Sequence, residues 1–276
     1  MTPTPRTIQS LFSAYYALMS TYRAEIFLWA LATSLPLIMM GVWVQAGASG
    51  AFAGFTSVDA ARYFIGVFIF RQLTICWVIY EFEYNVVSGR LSALLLQPLN
   101  PIWRYILMHG GEQACRLPFS VIFIGLSLFI FPDALWGSGE QGVWLPSWWR
   151  IGLAIACGYL AFLLRFFIAY TISMLAFWVE RVSALEGINY LPYLFLSGLV
   201  VPIQTLPAGL QDAILWTPYP YVLWFPAMLV AAPPEAMPPD MIARGIATIA
   251  AWLIVFSLLQ RVLWNRGLKH YSAMGA

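Results

Sequence analysis

Long apolar runs alternate along the chain with short connections that are polar or broken by proline and glycine. A run of roughly 20 predominantly apolar residues crosses the hydrocarbon core as a helix. Runs of about that kind cover residues 27–44, 63–82, 116–131, 149–179, 188–204 and 243–263, which predicts six transmembrane helices. Breakers or amphipathic rings mark their ends: Gly47, Gly50 and Gly54 after the first, Pro132 after the third, Trp148 and Trp149 before the fourth, Pro207 after the fifth.

Three stretches fit neither a span nor an ordinary loop. In residues 1–25, Arg6 is followed by Ile8, Leu11, Phe12, Tyr15, Met19 and Tyr22 at helical spacing, with Gln9, Ser10, Ser13 and Ser20 between them. That pattern is amphipathic, which predicts a helix lying in the membrane interface rather than a cleaved leader. Within residues 83–110, "VSGRLSALLLQPLNPIWRYI" is too polar to span and too rich in leucine for a solvated connection. A short helix over 89–97 places Leu91, Leu94 and Leu95 on one face, and Pro98 with Asn100 and Pro101 stops it. Residues 205–242 hold too much Trp, Leu and Tyr for a loop, while Pro207, Pro218, Pro220 and Pro226 forbid one continuous helix. Two short helices broken at "TPYP" and dipping back into the outer leaflet satisfy both constraints.

Composition confirms the solvent. At 61% hydrophobic and 9% charged over 276 residues, with a mean hydropathy of +0.77, the chain carries more apolar surface than a soluble core can hide. It reads as an all-α integral membrane protein forming one domain, 1–276. Arg6, Arg23, Arg90, Arg104, Arg181, Arg266 and Lys269 fall on the side of the termini. Asp59, Asp133, Glu140, Asp212, Glu235 and Asp240 collect on the other side, where Arg62, Arg150 and Arg244 lie only at span edges. The positive-inside rule then places both termini in the cytoplasm.

The chemistry is defined largely by what is missing. Cys76, Cys115 and Cys157 are widely separated and lack CxxC spacing, which argues against a disulfide framework or a metal site. The two histidines, His109 and His270, fall at cytoplasmic ends, leaving no imidazole to activate Ser173 or Ser197 within the bilayer. Lys269, the single lysine, is followed by His270 and so cannot complete a phosphate loop; ATP-driven work needs another chain. The acids fall at span ends or in loops, with Glu81, Glu83, Glu112, Glu180 and Glu186 on the cytoplasmic side, which leaves no midplane carboxylate for proton coupling. Arg71 stands out. It lies roughly 13 Å along the second span from Arg62, where an arginine costs about 2.5–3.5 kcal/mol, so it faces either a wet cavity, a partner or anion, or a structural partner near Gln72. Arg165, low in a long fourth span, is expected to reach the inner headgroups.

The order of these elements resembles the permease subunits of ABC-2 type transporters. "VVSGRLSALLLQPLNP" is similar to that family's cytoplasmic segment, "FLSGLVVPIQTLPAGLQDAILWTPYPYVLWFPAMLV" to its broken hairpin, and "WNRGLKHYSAMGA" to the ending of one permease branch. The resemblance implies a type V exporter-like fold in the bacterial inner membrane, with no catalytic residues of its own. Two permease subunits, identical or related, would pair with two ATP-binding subunits that bind ATP and Mg, exporting a lipid, glycan, drug or peptide-like substrate; nucleic acid is not an expected partner. It also implies residue roles. Gly89, Arg90, Leu91, Leu94, Leu95 and Pro98 would contact the ATPase, and Glu81, Glu83 and Arg104 would form a gate or salt bridge. Arg71, Gln72, Tyr193 and Phe195 would line the pathway, and Pro202, Pro207, Gln211, Pro218 and Pro226 would shape the hairpin. An ion-coupled secondary carrier and a membrane-embedded enzyme remain as alternatives.

Overall fold

The computed structural model describes residues 3–50, 55–137 and 143–274. Gly54, Glu140 and the last two residues of the C-terminal motif lie outside the described residues. Among the described residues every regular element is helical.

Helix α1 (Pro5–Thr21) starts where Thr4 accepts from the Thr7 N–H at 3.2 Å and Pro5 takes the first helical position. It packs along helix α7 (Pro101–Ile130), while Ile8, Phe12, Tyr16, Leu18 and Tyr22 remain exposed. α2 (Arg23–Ala32) and α3 (Leu35–Ala48) form the first apolar traverse, interrupted before Pro36. A capping box opens α4 (Ser57–Thr74): Thr56 accepts from Asp59 N at 3.2 Å, and Asp59 accepts from Thr56 N at 3.0 Å. α5 (Val78–Val87) and α6 (Arg90–Leu95) lead to α7, whose start is capped by Asn100 accepting from Ile102 N at 3.0 Å. Then come α8 (Asp133–Trp136), α9 (Trp148–Ser173) with a 3-10 turn at Met174–Phe177, α10 (Ser183–Leu196), α11 (Ala208–Leu215), α12 (Trp224–Ala231) and α13 (Pro239–Met274).

Among the described residues five stretches are long and apolar enough to cross a membrane: Arg23–Ala48, Ser57–Val87, Pro101–Ile130, Trp148–Phe177 and Pro239–Tyr271. α4 is their hub, buried on nearly every side against α3, α9 and α12, as expected of a helix apolar all round. One apolar cluster surrounds α4 and α12; a second joins α5, α6, the start of α7 and the ends of α9 and α13.

Several expected bounds change. The third apolar traverse is Pro101–Ile130, not 116–131. The polar residues that made 101–115 read as cytoplasmic repeat every three or four positions, and His109, Glu112, Gln113, Arg116, Ser120 and Ser127 are all buried. Two acids therefore lie inside after all: Glu112 stands 3.5 Å from Arg116, and Glu186 pairs with Arg165 at 2.8 Å.

The expected fifth span, 188–204, is not one helix. α10 has 14 residues, about 21 Å at 1.5 Å per residue, and ends before Gly198, whose φ is +82°. Beyond it the chain runs as an irregular buried leg. Tyr63 Oη donates to Gly198 O at 2.8 Å, Trp43 Nε1 to Val200 O at 2.8 Å, and Trp224 N to Ser197 O at 3.0 Å. These bonds replace the helix ladder, without which buried carbonyls would be left unpaired.

The proline-rich segment does form two short helices, α11 and α12, with a 3-10 turn over Tyr219–Tyr221. Pro202, Pro218 and Pro226 are buried, Pro207 is exposed at the start of α11, and Gln211 Nε2 donates to Leu206 O at 2.6 Å. α12 wedges between α4 and α9, its Ala227 against Gly66, roughly 13 Å down α4 from its first turn.

Candidate functional site

The second apolar traverse breaks in the middle without a proline or glycine. α4 ends at Thr74, Ile75 is extended (φ −60°, ψ 133°), and α5 begins at Val78. Side chains from α7 complete the interrupted ladder. Gln113 Nε2 donates to Leu73 O, and Trp77 N–H donates to His109 Nε2 at 2.8 Å. Since Nε2 accepts, Nδ1 carries the proton and donates to Tyr105 O at 2.7 Å. The fully buried His109 thus holds a helix break in place instead of lying at a cytoplasmic end.

A cavity of about 240 Å³ opens beside this break. Its walls include Arg71 and Trp77 at the break, Arg165 from α9, and Glu186, Tyr190 and Tyr193 from α10. Arg165 does not reach the headgroups as expected. It is buried, gives Nη2 to Glu186 Oε1 at 2.8 Å, and lies 4.4 Å from the centre of the Tyr193 ring. Glu186 Oε2 also accepts from Asn189 Nδ2 at 3.1 Å, and Asn189 Oδ1 accepts from Tyr219 Oη at 3.2 Å. This carboxylate is consequently neutralised and oriented. Arg71 differs: it is 8% exposed, and its Nε and Nη1 have no hydrogen-bond partner.

The four pathway candidates separate. Arg71 and Tyr193 share the cavity. Gln72 turns away, donating from Nε2 to Thr33 Oγ1 at 2.9 Å, and Phe195 is exposed on the outer side of α10.

At the other end of α5, Gly89 takes φ +73°, a backbone turn open to glycine that swings the chain into α6. The predicted face of Leu91, Leu94 and Leu95 divides: Leu91 and Leu94 turn into the protein, and Leu95 turns outward. Leu91 is fully buried among Phe82, Val86, Met174 and Phe177, and Leu94 packs on the same cluster. The reason is hydrophobic: a six-residue helix cannot hold its conformation alone and is fixed by rooting its apolar side in the protein. Ser92 and Tyr271 hydroxyls add a contact at 3.0 Å. What faces outward is Val87, Leu95 and Leu96, with Arg90 over the Tyr84 ring at 5.3 Å and Pro98 exposed beyond.

The expected salt bridge among Glu81, Glu83 and Arg104 does not form. Glu83 instead accepts from Ser183 N, and from Ser183 Oγ at 3.0 Å, capping α10 from α5. Arg104 donates to Gln97 Oε1 at 2.6 Å and Tyr15 Oη at 3.4 Å, while Glu81 is exposed. Glu83→Ala should therefore destabilise the protein by about 0.5–2 kcal/mol in detergent unfolding, whereas Glu81→Ala should leave it unchanged. Equal effects would refute the capping role.

Sequence reasoning missed His109, Gln113 and the Arg165–Glu186 pair as members of the site. The three-or-four spacing of polar residues through 109–127 was the available signal; the partners across helices had none.

A family model described as ABC-2 family transporter protein matches residues 28–275. No curated protein matches the chain.

Proposed function

The chain belongs to the ABC-2 transporter family, and from that premise we propose that it is the permease subunit of an exporter driven by ATP hydrolysed on a separate chain. The observation that carries the coupling is α6, rooted through Leu91 in the protein and turning Leu95 and Leu96 outward, the latter 89% exposed. A short helix with an apolar outer edge suits insertion into a hydrophobic groove of a partner. The ATP-binding subunit would hold ATP and Mg and supply the hydrolysis; this chain, without a phosphate loop, converts the movement.

The route for that movement follows the contacts. Displacing α6 loads α5 through Leu91, α5 holds the start of α10 through Glu83, and α10 carries Glu186 and Tyr193 to the cavity at the helix break. The basic end of the molecule, with α6 and both termini, is assigned to the cytoplasm by the charge asymmetry. α10 with the irregular leg after Gly198 serves as a sixth traverse, since non-helical backbone is tolerated at membrane depth where it is buried in protein. α1, with its exposed apolar side chains, lies in the inner interface, and α11–α12 form the re-entrant hairpin. The assembly is a pair of permeases, identical or related, over two ATP-binding subunits in a bacterial inner membrane, and its cargo is a lipid, glycan, drug or peptide-like molecule.

An affinity-tagged chain purified from its native membrane should retain a subunit bearing a phosphate loop, and transport in proteoliposomes should require that subunit and ATP. Transport by the chain alone on an ion gradient would replace this reading with a secondary carrier.

A further inference from the structure

Among the described residues, the buried arginines other than Arg71 each have an acceptor beside them, although Arg116 makes only an ion-pair contact and no hydrogen bond. Arg62 donates to Ala134 O at 2.8 Å, Arg150 to Ala232 O at 2.8 Å, Arg165 pairs with Glu186 at 2.8 Å, and Arg116 stands 3.5 Å from Glu112. Arg71 has neither a carboxylate nor a carbonyl, although it is as buried as the others and lies in an apolar traverse. Its Nε and Nη1, out of water and without a partner, are costly, and arginine does not neutralise itself by losing its proton.

The surroundings point the same way. Buried side-chain donors without partners on the cavity walls are Arg71 Nε and Nη1, Trp77 Nε1 and Arg165 Nη1; among the described residues the lining side chains contribute no unpaired buried acceptor. Charges on the wall, Arg71 and Arg165 against Glu186, sum to one positive. The first turn of α5, a ten-residue helix, also begins at the cavity, next to Cys76 and Trp77, and adds the positive end of its dipole. Size sets the class of guest. About 240 Å³ is several times the roughly 30 Å³ share of a water molecule, room for a phosphate-sized group and its first substituent but not for a whole lipid. Exposed Tyr80 and Gly187 belong to the rim, so an attached chain can remain outside.

We infer that the cavity at the α4–α5 break is a binding site for a single oxyanion group of the phosphate type, held by Arg71 with Trp77 and Arg165. The group is carried either by an amphipathic phospholipid-like molecule, with its tails in the bilayer, or by a small soluble anion. The site lies on this chain alone and needs no ATPase to bind.

The test uses the full chain purified in a neutral maltoside detergent, with thermal unfolding as readout. Phosphatidylglycerol in the micelles should raise the unfolding temperature of the wild type. Arg71→Gln should lose the shift or require at least tenfold more lipid, whereas Arg261→Gln, on the exposed side of α13, should respond as the wild type does. Gly187→Leu, where a new Cβ meets nothing within 4 Å, should fold and block the rim, so it carries the test if Arg71→Gln fails to fold. Inorganic phosphate at constant ionic strength producing the same Arg71-dependent shift, with no added effect of lipid, identifies the soluble form. No shift of the wild type with either probe, or equal shifts in the wild type and in the variants, overturns the site. Because no partner is present, these outcomes are independent of whether the ATP-binding subunit is retained.

Discussion

A Leu95→Asp, Leu96→Asp double variant should insert and fold normally yet fail to retain the ATP-binding subunit. Both side chains are exposed on α6, so removing them leaves the chain's own packing intact. In the assembled transporter each would transfer into an apolar groove, worth about 1.5–3 kcal/mol per side chain, and each aspartate would bring a carboxylate into that groove instead. Together they should weaken association by about 10²–10⁴-fold. Co-purification by affinity tag measures it, with size-exclusion behaviour in detergent reporting on the fold, and ATP-driven transport should fall in parallel. Retention of the ATPase at wild-type level would remove α6 as the docking element. Leu91 is unsuitable for the same experiment, because its burial makes any charged replacement a folding defect.

Gly198→Ala should be strongly destabilising. The residue has φ +82°, and a Cβ there would collide with Tyr63 Oη and stand 3.0 Å from Trp224 Cβ. A left-handed conformation costs a non-glycine residue roughly 1–2 kcal/mol. Overpacking adds typically 1–3 kcal/mol, for an expected loss of about 2–5 kcal/mol. Neither neighbour can retreat easily: Tyr63 donates its hydroxyl to Gly198 O at 2.8 Å, and Trp224 N–H is bonded to Ser197 O at 3.0 Å. Thermal unfolding of the purified variant checks it against Gly187→Ala, where the new methyl meets open space inside α10 and should be neutral or mildly stabilising. A Gly198→Ala protein as stable as wild type would mean that the irregular leg is not held by these contacts.

Such predictions depend on features of different visibility. The apolar runs and the break at "TPYP" were readable because both are local: run length against bilayer thickness, and proline removing a backbone donor. The position of the short helix after Gly89 was legible, but the assignment of its faces was not. Nothing in the spacing of Leu91, Leu94 and Leu95 tells that Leu91 and Leu94 are rooted in the protein while Leu95 faces outward. That distinction came from the cluster holding Phe82, Met174 and Phe177, the last two from a distant part of the chain.

The candidate cavity was legible only through the anomaly of Arg71, a cation inside an apolar run. By local pattern its neighbours belong elsewhere: His109 at a cytoplasmic end, Arg165 at the headgroups, Glu186 among the cytoplasmic-side acids at span ends or in loops. Each moved inward because another polar group meets it there, and a buried polar group is tolerated only where such a partner exists.

By itself, then, the sequence determined the solvent, the helical class, the approximate traverses and the charge asymmetry, since bilayer thickness, proline chemistry and hydropathy act on neighbouring residues. Tertiary structure alone decided the break at Ile75, the inward face of α7 and the irregular leg after α10. In each case a backbone group left by one helix is completed by a side chain of another: Trp77 N–H by His109, Leu73 O by Gln113, Gly198 O by Tyr63. In a medium without water to complete them, those pairings fix where a helix can stop, and their partners lie tens of residues away, beyond the reach of any local pattern.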